Sequence, residues 1–265
     1  YLGYDYQGNW SASNNYYGDF TSDLYLLTYK LLPKEDDEND RATVVNINVL
    51  GGTVKNNIYG GANQNNIYGT VDIAMNNGNV NGVIYGGSNI KGTVSGSTLL
   101  NITGGRLGTE SDQEILDYTS VDTLFGGGLG SETKVNGRSL VNIQDTSNNL
   151  NIYGNVYGGS SLGTISGNVN VNIKDSNTTV NTISITGYVF GGGKGNSTTP
   201  AIVTGDIKVN VDGCELESCS VFGGSNINGT IDGNIEVRIG ENNKSTLNTV
   251  YGGGNQAGID TNTKS

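Results

Sequence analysis

The sequence predicts an all-β fold, a right-handed parallel β-helix (β-solenoid) with about seven coils of roughly 30 residues and three short strands per coil. Three observations lead to this prediction. A tripeptide of one aromatic residue and two glycines recurs along most of the chain. Short segments alternate apolar and polar residues with the period of a strand. The composition, with 43 Gly in 265 residues, disfavours helices.

The aromatic-Gly-Gly tripeptide marks one turn of each repeat. Its first glycines are 26, 40, 32, 33, 32 and 29 residues apart. We expect Gly158→Val or Gly223→Val to disrupt folding locally, because the turn needs either positive φ or a close backbone approach. The seven copies are Tyr59-Gly60-Gly61, Tyr85-Gly86-Gly87, Phe125-Gly126-Gly127, Tyr157-Gly158-Gly159, Phe190-Gly191-Gly192, Phe222-Gly223-Gly224 and Tyr251-Gly252-Gly253.

A Val-Asn-Ile type of alternation defines a strand in each repeat. The apolar residues should face inward, and the polar residue between them should face outward. Stacked outward amides would hydrogen-bond to one another along the rod. The residues predicted to face inward include Val171, Ile173, Val209, Val211, Val237 and Ile239. The aligned polar positions are Asn46, Asp72, Asn101, Asn142, Asn172, Asn210 and Arg238.

Two segments differ in their relation to the repeat. Residues 1–42 do not fit it, and we interpret them as an N-terminal cap or leading segment, because an open solenoid end exposes core and unpaired strand edges. Residues 43–265 carry the repeat and are predicted to form the parallel β-helix, truncated at its C-terminal end. We therefore expect the chain to be part of a longer surface protein.

The longest gap between repeats contains an acidic insertion from Gly108 to Tyr118, within a segment from Gly104 to Thr119 interpreted as a protruding loop. Insertions in repeat proteins gather on a face that is often the binding face. Carboxylates close together could hold calcium or a hydroxyl-rich ligand, and an aromatic ring suits the apolar face of a sugar. A solvated surface loop is the alternative. The candidate ligand-binding residues are Glu110, Asp112, Glu114, Asp117 and Tyr118, of which the four carboxylates are also the candidate metal ligands.

Composition excludes several function classes. The chain has no His, so Ser-His-Asp and Cys-His catalysis and imidazole metal sites are absent, and no catalytic residue is assigned. Its formal charge of −11 disfavours nucleic acid as a partner. No apolar run reaches the ~18 residues of a transmembrane helix. Beyond calcium, no cofactor is expected.

Cys214 and Cys219 are candidate disulfide partners. They lie in the run CELESC with four residues between them. A local bridge across a loop and two reduced thiols both fit this spacing.

The aromatic-Gly-Gly turns, the Val-Asn-Ile strands and the missing end cap resemble the β-helical regions of bacterial cell-surface proteins of the adhesin type. The resemblance covers residues 43–265 and is one of repeat style. It implies an extracellular, cell-surface location and non-enzymatic adhesion to a host or environmental glycan or surface protein. Two alternatives stay open. One is a purely structural spacer or surface-appendage subunit, and the other is a polysaccharide lyase-like enzyme, since such lyases also use parallel β-helices.

Overall fold

The computed structural model describes residues 2–4, 10–12, 44–110, 121–175, 183–212, 215–240 and 246–258. The described residues form strands and turns without any helix. In chain order the strands are β1 (Leu2–Tyr4), β2 (Trp10–Ala12), β3 (Val44–Val49), β4 (Thr53–Val54), β5 (Ile58–Tyr59), β6 (Thr70–Met75), β7 (Asn79–Val80), β8 (Ile84–Tyr85), β9 (Lys91–Val94), β10 (Thr98–Leu107), β11 (Asp122–Phe125), β12 (Glu132–Val135), β13 (Ser139–Ile152), β14 (Asn155–Tyr157), β15 (Thr164–Ile165), β16 (Val169–Asp175), β17 (Ile183–Ile185), β18 (Val189–Phe190), β19 (Ala201–Val203), β20 (Ile207–Asp212), β21 (Glu215–Phe222), β22 (Gly229–Ile231), β23 (Ile235–Ile239) and β24 (Thr246–Tyr251).

Every strand from β3 onward pairs in parallel with strands of neighbouring repeats. Row A contains the Val-Asn-Ile strands β3, β6, β10, β13, β16, β20 and β23. Row C contains the strands that lead into the aromatic-Gly-Gly turns, β5, β8, β11, β14 and β18, followed by the second halves of β21 and β24. Row D contains β9, β12, β15, β19 and β22. The all-β architecture of stacked parallel strands is consistent with a β-helix or solenoid.

A further strand position, row B, lies between rows A and C and was missed in the sequence. It contains β4, β7, β17 and the first parts of β21 and β24. In β10 and β13 the chain continues from row A into row B without leaving the sheet. The segment Gly104–Leu107 is therefore strand and not the beginning of a protruding loop. Its glycines conceal the alternation on which strand prediction depends.

The inward side chains of row A form the core. Val171, Val209 and Val211 have no exposed surface and Ile173 is 1% exposed, which confirms the prediction for these residues. Burying one such side chain contributes about 1.5–3 kcal/mol. Ile239 pairs in register with buried Val211 and so lies on the same face, but it is 45% exposed, and Val237 in the same strand is partly buried. Strand β23 pairs with β20 on one side, and no described strand covers its other side.

Close packing between repeats explains the first glycine of the aromatic-Gly-Gly turn. A Cβ added to Gly158 would lie against the Val169 side chain and 2.5 Å from the Gly191 carbonyl oxygen. A Cβ added to Gly223 would lie 2.5 Å from Cγ2 of Ile235. Neither glycine has positive φ. Of the two reasons predicted for the glycine, close approach is the one that applies.

The asparagine ladder exists and reaches Asp72, but the backbone register of its first strands differs from the predicted alignment. Asn142 donates to Asn101 at 2.9 Å, Asn172 donates to Asn142 at 2.9 Å and Asn210 donates to Asn172 at 2.7 Å. In the preceding strand of row A, the backbone of Asn101 pairs with Ala74, but the Asn101 side chain still donates to Oδ1 of Asp72 at 3.4 Å. The sequence alignment placed the two earliest strands two residues out of register, because a shift of two keeps the same side chains inward.

The N-terminal segment is described only in part. Strands β1 and β2 pair antiparallel, unlike every pairing in the repeat region. The rest of residues 1–43 lies outside the described residues, so the cap assigned to residues 1–42 stays a prediction. Among the residues that the structure describes, no helix is long and apolar enough to cross a membrane.

Candidate functional site

The aromatic residues of the Gly-Gly turns form a continuous stack inside row C. Successive rings from Tyr59 to Tyr251 lie 4.4–5.2 Å apart between centroids and are nearly parallel. Phe125, Tyr157 and Phe190 have no exposed surface. The stack therefore packs in the interior, and these buried rings do not offer a platform to a ligand.

Tyr157 is the member of this stack whose hydroxyl organises a polar network. The hydroxyl donates to Oδ1 of Asp122 at 3.0 Å and accepts from Nδ2 of Asn226 at 2.9 Å. Asn226 accepts in turn from Nδ2 of Asn255 at 3.0 Å. Burial, and next the negative charge of Asp122, raise the pKa of the Tyr157 phenol. The phenol thus stays protonated at neutral pH and ties together residues from four repeats.

Asp122 also forms an ion pair with Lys194. Nζ of Lys194 lies 2.5 Å from Oδ2 of Asp122, and the lysine and aspartate side chains are 29% and 17% exposed. The two residues are 72 positions apart in the chain. The pair is therefore partly buried and still reachable from solvent.

The local chain geometry explains why Asp122 faces outward. Strand β11 has a register shift between Asp122 and Leu124 where it pairs with β14. The extra residue, Thr123, turns inward, is fully buried and donates to the Asn155 carbonyl at 2.9 Å. A bulge of this kind re-aims the neighbouring side chain. Asp122 therefore projects over the Tyr157 hydroxyl.

A cleft of about 340 Å³ opens beside this network. Asp122, Asn155 and Tyr188 form one wall. The Tyr188 ring packs edge-on against Phe190 and Phe222, with centroids 6.2 and 5.6 Å away. The Asn155 side chain accepts from the Tyr188 backbone N–H at 2.7 Å and fixes that wall. The other residues that line the cleft are Lys194, Asn226, Ile227, Asn255 and Gln256.

Of the residues predicted from the acidic insertion, the structure describes Glu110, which does not line this cleft. Glu110 is exposed, and Asp112, Glu114, Asp117 and Tyr118 lie outside the described residues. The calcium prediction therefore stays a prediction. In the described part of the chain, no group of three or more His, Cys, Asp or Glu residues could hold a metal ion.

The cysteine prediction is equally open. Cys214 lies outside the described residues, and the backbone of Cys219 belongs to β21. The disulfide between them stays a prediction.

Sequence reasoning missed the residues that line the cleft. Asn155 and Tyr188 each lie just before the apolar residue that leads into an aromatic-Gly-Gly copy, Asp122 lies one residue earlier, and Lys194 and Asn226 follow the motif by two residues. Alignment of the repeats on the tripeptide would have placed Asn155 with Tyr188 and Lys194 with Asn226, but it would have missed Asp122, which only the bulge brings into register with Asn155. Polar residues on both sides of neighbouring motif copies were the signal in the sequence that could have indicated a site.

Comparison with known proteins assigns no family. The chain matches no protein-family model, no curated protein and no solved structure. The cleft and the fold that carries it are therefore the basis for the function proposed below.

Proposed function

We propose that this chain is a non-enzymatic, extracellular cell-surface binding segment that recognises a glycan in the cleft beside Asp122 and Lys194. The observation that supports this proposal is the combination of a half-buried ion pair, side-chain amides and an aromatic wall in one small cleft. The volume of about 340 Å³ falls at the lower end of the ~300–1,000 Å³ typical of small-ligand sites.

The chemistry of the cleft suits sugar hydroxyls. Each hydroxyl both donates and accepts, and the cleft offers an acceptor in Asp122, a donor in Lys194 and amides that do both. Tyr188 and Ile227 add apolar surface for the C–H face of a sugar ring. Because Tyr157 and Asn155 already hold the walls in place, little ordering is left for binding to impose.

The scaffold supports the same function. We propose that the stack is a right-handed β-helix of about seven coils, since about 98 % of parallel crossover connections are right-handed. Such a rod would hold the cleft rigidly and away from the surface that carries the protein. The resemblance in repeat style to surface adhesins supports the extracellular location and a partner that is a host or environmental glycan or surface protein.

A polysaccharide lyase is the second candidate, because Asp122, Lys194 and the Tyr157 hydroxyl are joined by hydrogen bonds in one cleft. A lyase needs a base that removes a proton from the sugar ring. Tyr157 is fully buried and its pKa is raised, so it is protonated at neutral pH and cannot act as that base. Asp122, the carboxylate of the cleft, already accepts from Tyr157 and Lys194 with its two oxygens, so binding without turnover fits the arrangement better.

A glycan array with the purified chain tests the proposal. Lys194→Ala should lose most of the binding seen with the unaltered chain, because it removes the donor and leaves Asp122 uncompensated. Lys208→Ala is the matched control. It also removes a lysine from a carboxylate pair, with Glu236 at 3.4 Å, but on the exposed face of row A.

Each outcome of this experiment decides between the candidates. Equal loss in both variants would show a general charge effect and contradict the cleft. No retained glycan would favour a spacer or surface-appendage role. Release of unsaturated sugar fragments from uronate polymers would favour the lyase.

A further inference from the structure

The Asp122–Lys194 pair leaves the cleft electrically balanced. Among the described residues that line it there is one carboxylate and one ammonium, and the other polar side chains are neutral Asn, Gln and Tyr. The two charged atoms lie 2.5 Å apart. A ligand without net charge preserves this balance, whereas a charged ligand must disturb it.

The pair also presents a donor and an acceptor side by side. The ammonium of Lys194 has three N–H donors, and Asp122 is its one hydrogen-bond partner within the described residues. Oδ1 of Asp122 accepts from Tyr157 and Oδ2 accepts from Lys194, and each oxygen retains capacity for a second bond. Two hydroxyls on neighbouring carbons of a sugar ring match this arrangement, one accepting from the lysine and the other donating to the aspartate.

An acidic sugar fits the same groups badly. Its carboxylate would compete with Asp122 for Lys194. Asp122 could not move with the lysine, because the hydroxyl of buried Tyr157 donates to its other oxygen. A half-buried carboxylate deprived of its cation is strongly disfavoured. The net charge of −11 also repels an approaching polyanion.

We infer that the ligand of the cleft is an uncharged sugar unit with hydroxyls on two adjacent ring carbons, and that the Asp122–Lys194 pair selects against acidic sugars. This inference rests on the proposed glycan-binding function and names its ligand class. A cleft with the lysine alone would have the opposite preference.

Matched methyl glycosides that differ only at C6 test the inference. The probes are the methyl glycosides of glucose, galactose and mannose and of the three corresponding uronic acids, titrated calorimetrically against the whole chain at low salt. At least one neutral glycoside should bind about tenfold more tightly than its uronic acid. Asp122→Asn keeps an oxygen acceptor for Tyr157 but removes the charge, so the preference should reverse toward the uronic acid.

The possible results distinguish failure of the neutral-sugar inference from failure of the proposed glycan binding. Equal or tighter binding of the uronic acids by the unaltered chain overturns the inference and leaves glycan binding intact. Binding of none of the six probes overturns the proposed function together with the inference. An unchanged ratio in folded Asp122→Asn overturns the role of the pair. If that variant does not fold, Lys194→Gln replaces it. It should widen the preference for the neutral sugar, and a narrower preference overturns the inference.

Discussion

The same tripeptide, Tyr-Gly-Gly, lies in two different environments in this molecule. Tyr157 in the middle of the stack has no exposed surface, whereas Tyr251 in the last described strand is 47% exposed. A Cβ on Gly158 would collide with the next repeat, while one on Gly252 would have no atom within 4 Å. The sequence motif is identical, so the difference comes from the neighbouring repeat that covers it.

The comparison shows what stacking adds to a repeat. A copy covered on both sides gains ring stacking on both faces, buried glycines and, at Tyr157, a hydrogen-bonded network with Asp122 and Asn226, whereas Tyr251 stacks on Phe222 alone among the described rings. A copy covered on one side retains its strand but not the burial. Energetic importance in such a chain therefore follows from position in the stack more than from the residue type.

The largest expected effect is that of Gly158→Val. The side chain would overlap Val169, which pairs with Ile207, and the carbonyl of Gly191, whose N–H donates to the Phe222 carbonyl at 2.9 Å. We expect a loss above about 4 kcal/mol in the free energy of unfolding, or failure to fold. Thermal and urea unfolding measure it.

Gly252→Val is the matched control for this substitution. Because the added side chain meets no described atom, the change should stay within about 1 kcal/mol. Equal destabilisation by the two variants would contradict the close-approach explanation.

Tyr157→Phe should have the next largest effect. It keeps the ring in the stack but removes the partner of Asp122 and Asn226, at an expected cost of about 1–3 kcal/mol in urea unfolding. Tyr251→Phe, at the exposed copy, should be neutral. If both variants retain full stability, the phenol network does not contribute to the fold.

Asn142→Ala tests the amide ladder and should cost about 0.5–1.5 kcal/mol, because Asn142 donates to Asn101 and accepts from Asn172. Asn48→Ala is its control. Asn48 is exposed and pairs with Ala74, which has no amide. If the ladder stabilises the fold, the melting temperature should fall in Asn142→Ala and stay unchanged in Asn48→Ala.

The titration of Tyr157 should have the smallest effect on stability, because it acts only at alkaline pH. Its pKa is raised in the folded chain above the ordinary value of 10.0, so above pH 10 the unfolded chain loses a proton that the folded chain retains. Stability is therefore fully present below pH 10 and declines as pH rises beyond it. Tyr157→Phe should make the decline of melting temperature above pH 10 shallower. An identical slope in both proteins would contradict the buried, protonated phenol.

Particular residues show how far the sequence alone could lead. The parallel stacking was predictable because Val171 and Val209 recur in equivalent copies, and pairing places identical positions side by side. The early amide ladder was not predictable in register, because Asp72 and Ala74 occupy outward positions of equal parity. Row B was missed because its strands, such as Thr53–Val54, are too short to show alternation.

The sequence by itself determined the class of fold and the buried face, since both follow from a period repeated along the chain. The tertiary structure alone decided the cleft. Asp122 and Lys194 are separated by 72 residues, and Tyr157 and Asn226 by 69. They meet because a bulge brings Asp122 into register with Asn155 and because the residues after the glycines, Lys194 and Asn226, reach the same cleft. The repeat period predicts which residues stack on one another in successive repeats. Contacts between different rows depend on the geometry of the turns, which the repeat period does not predict.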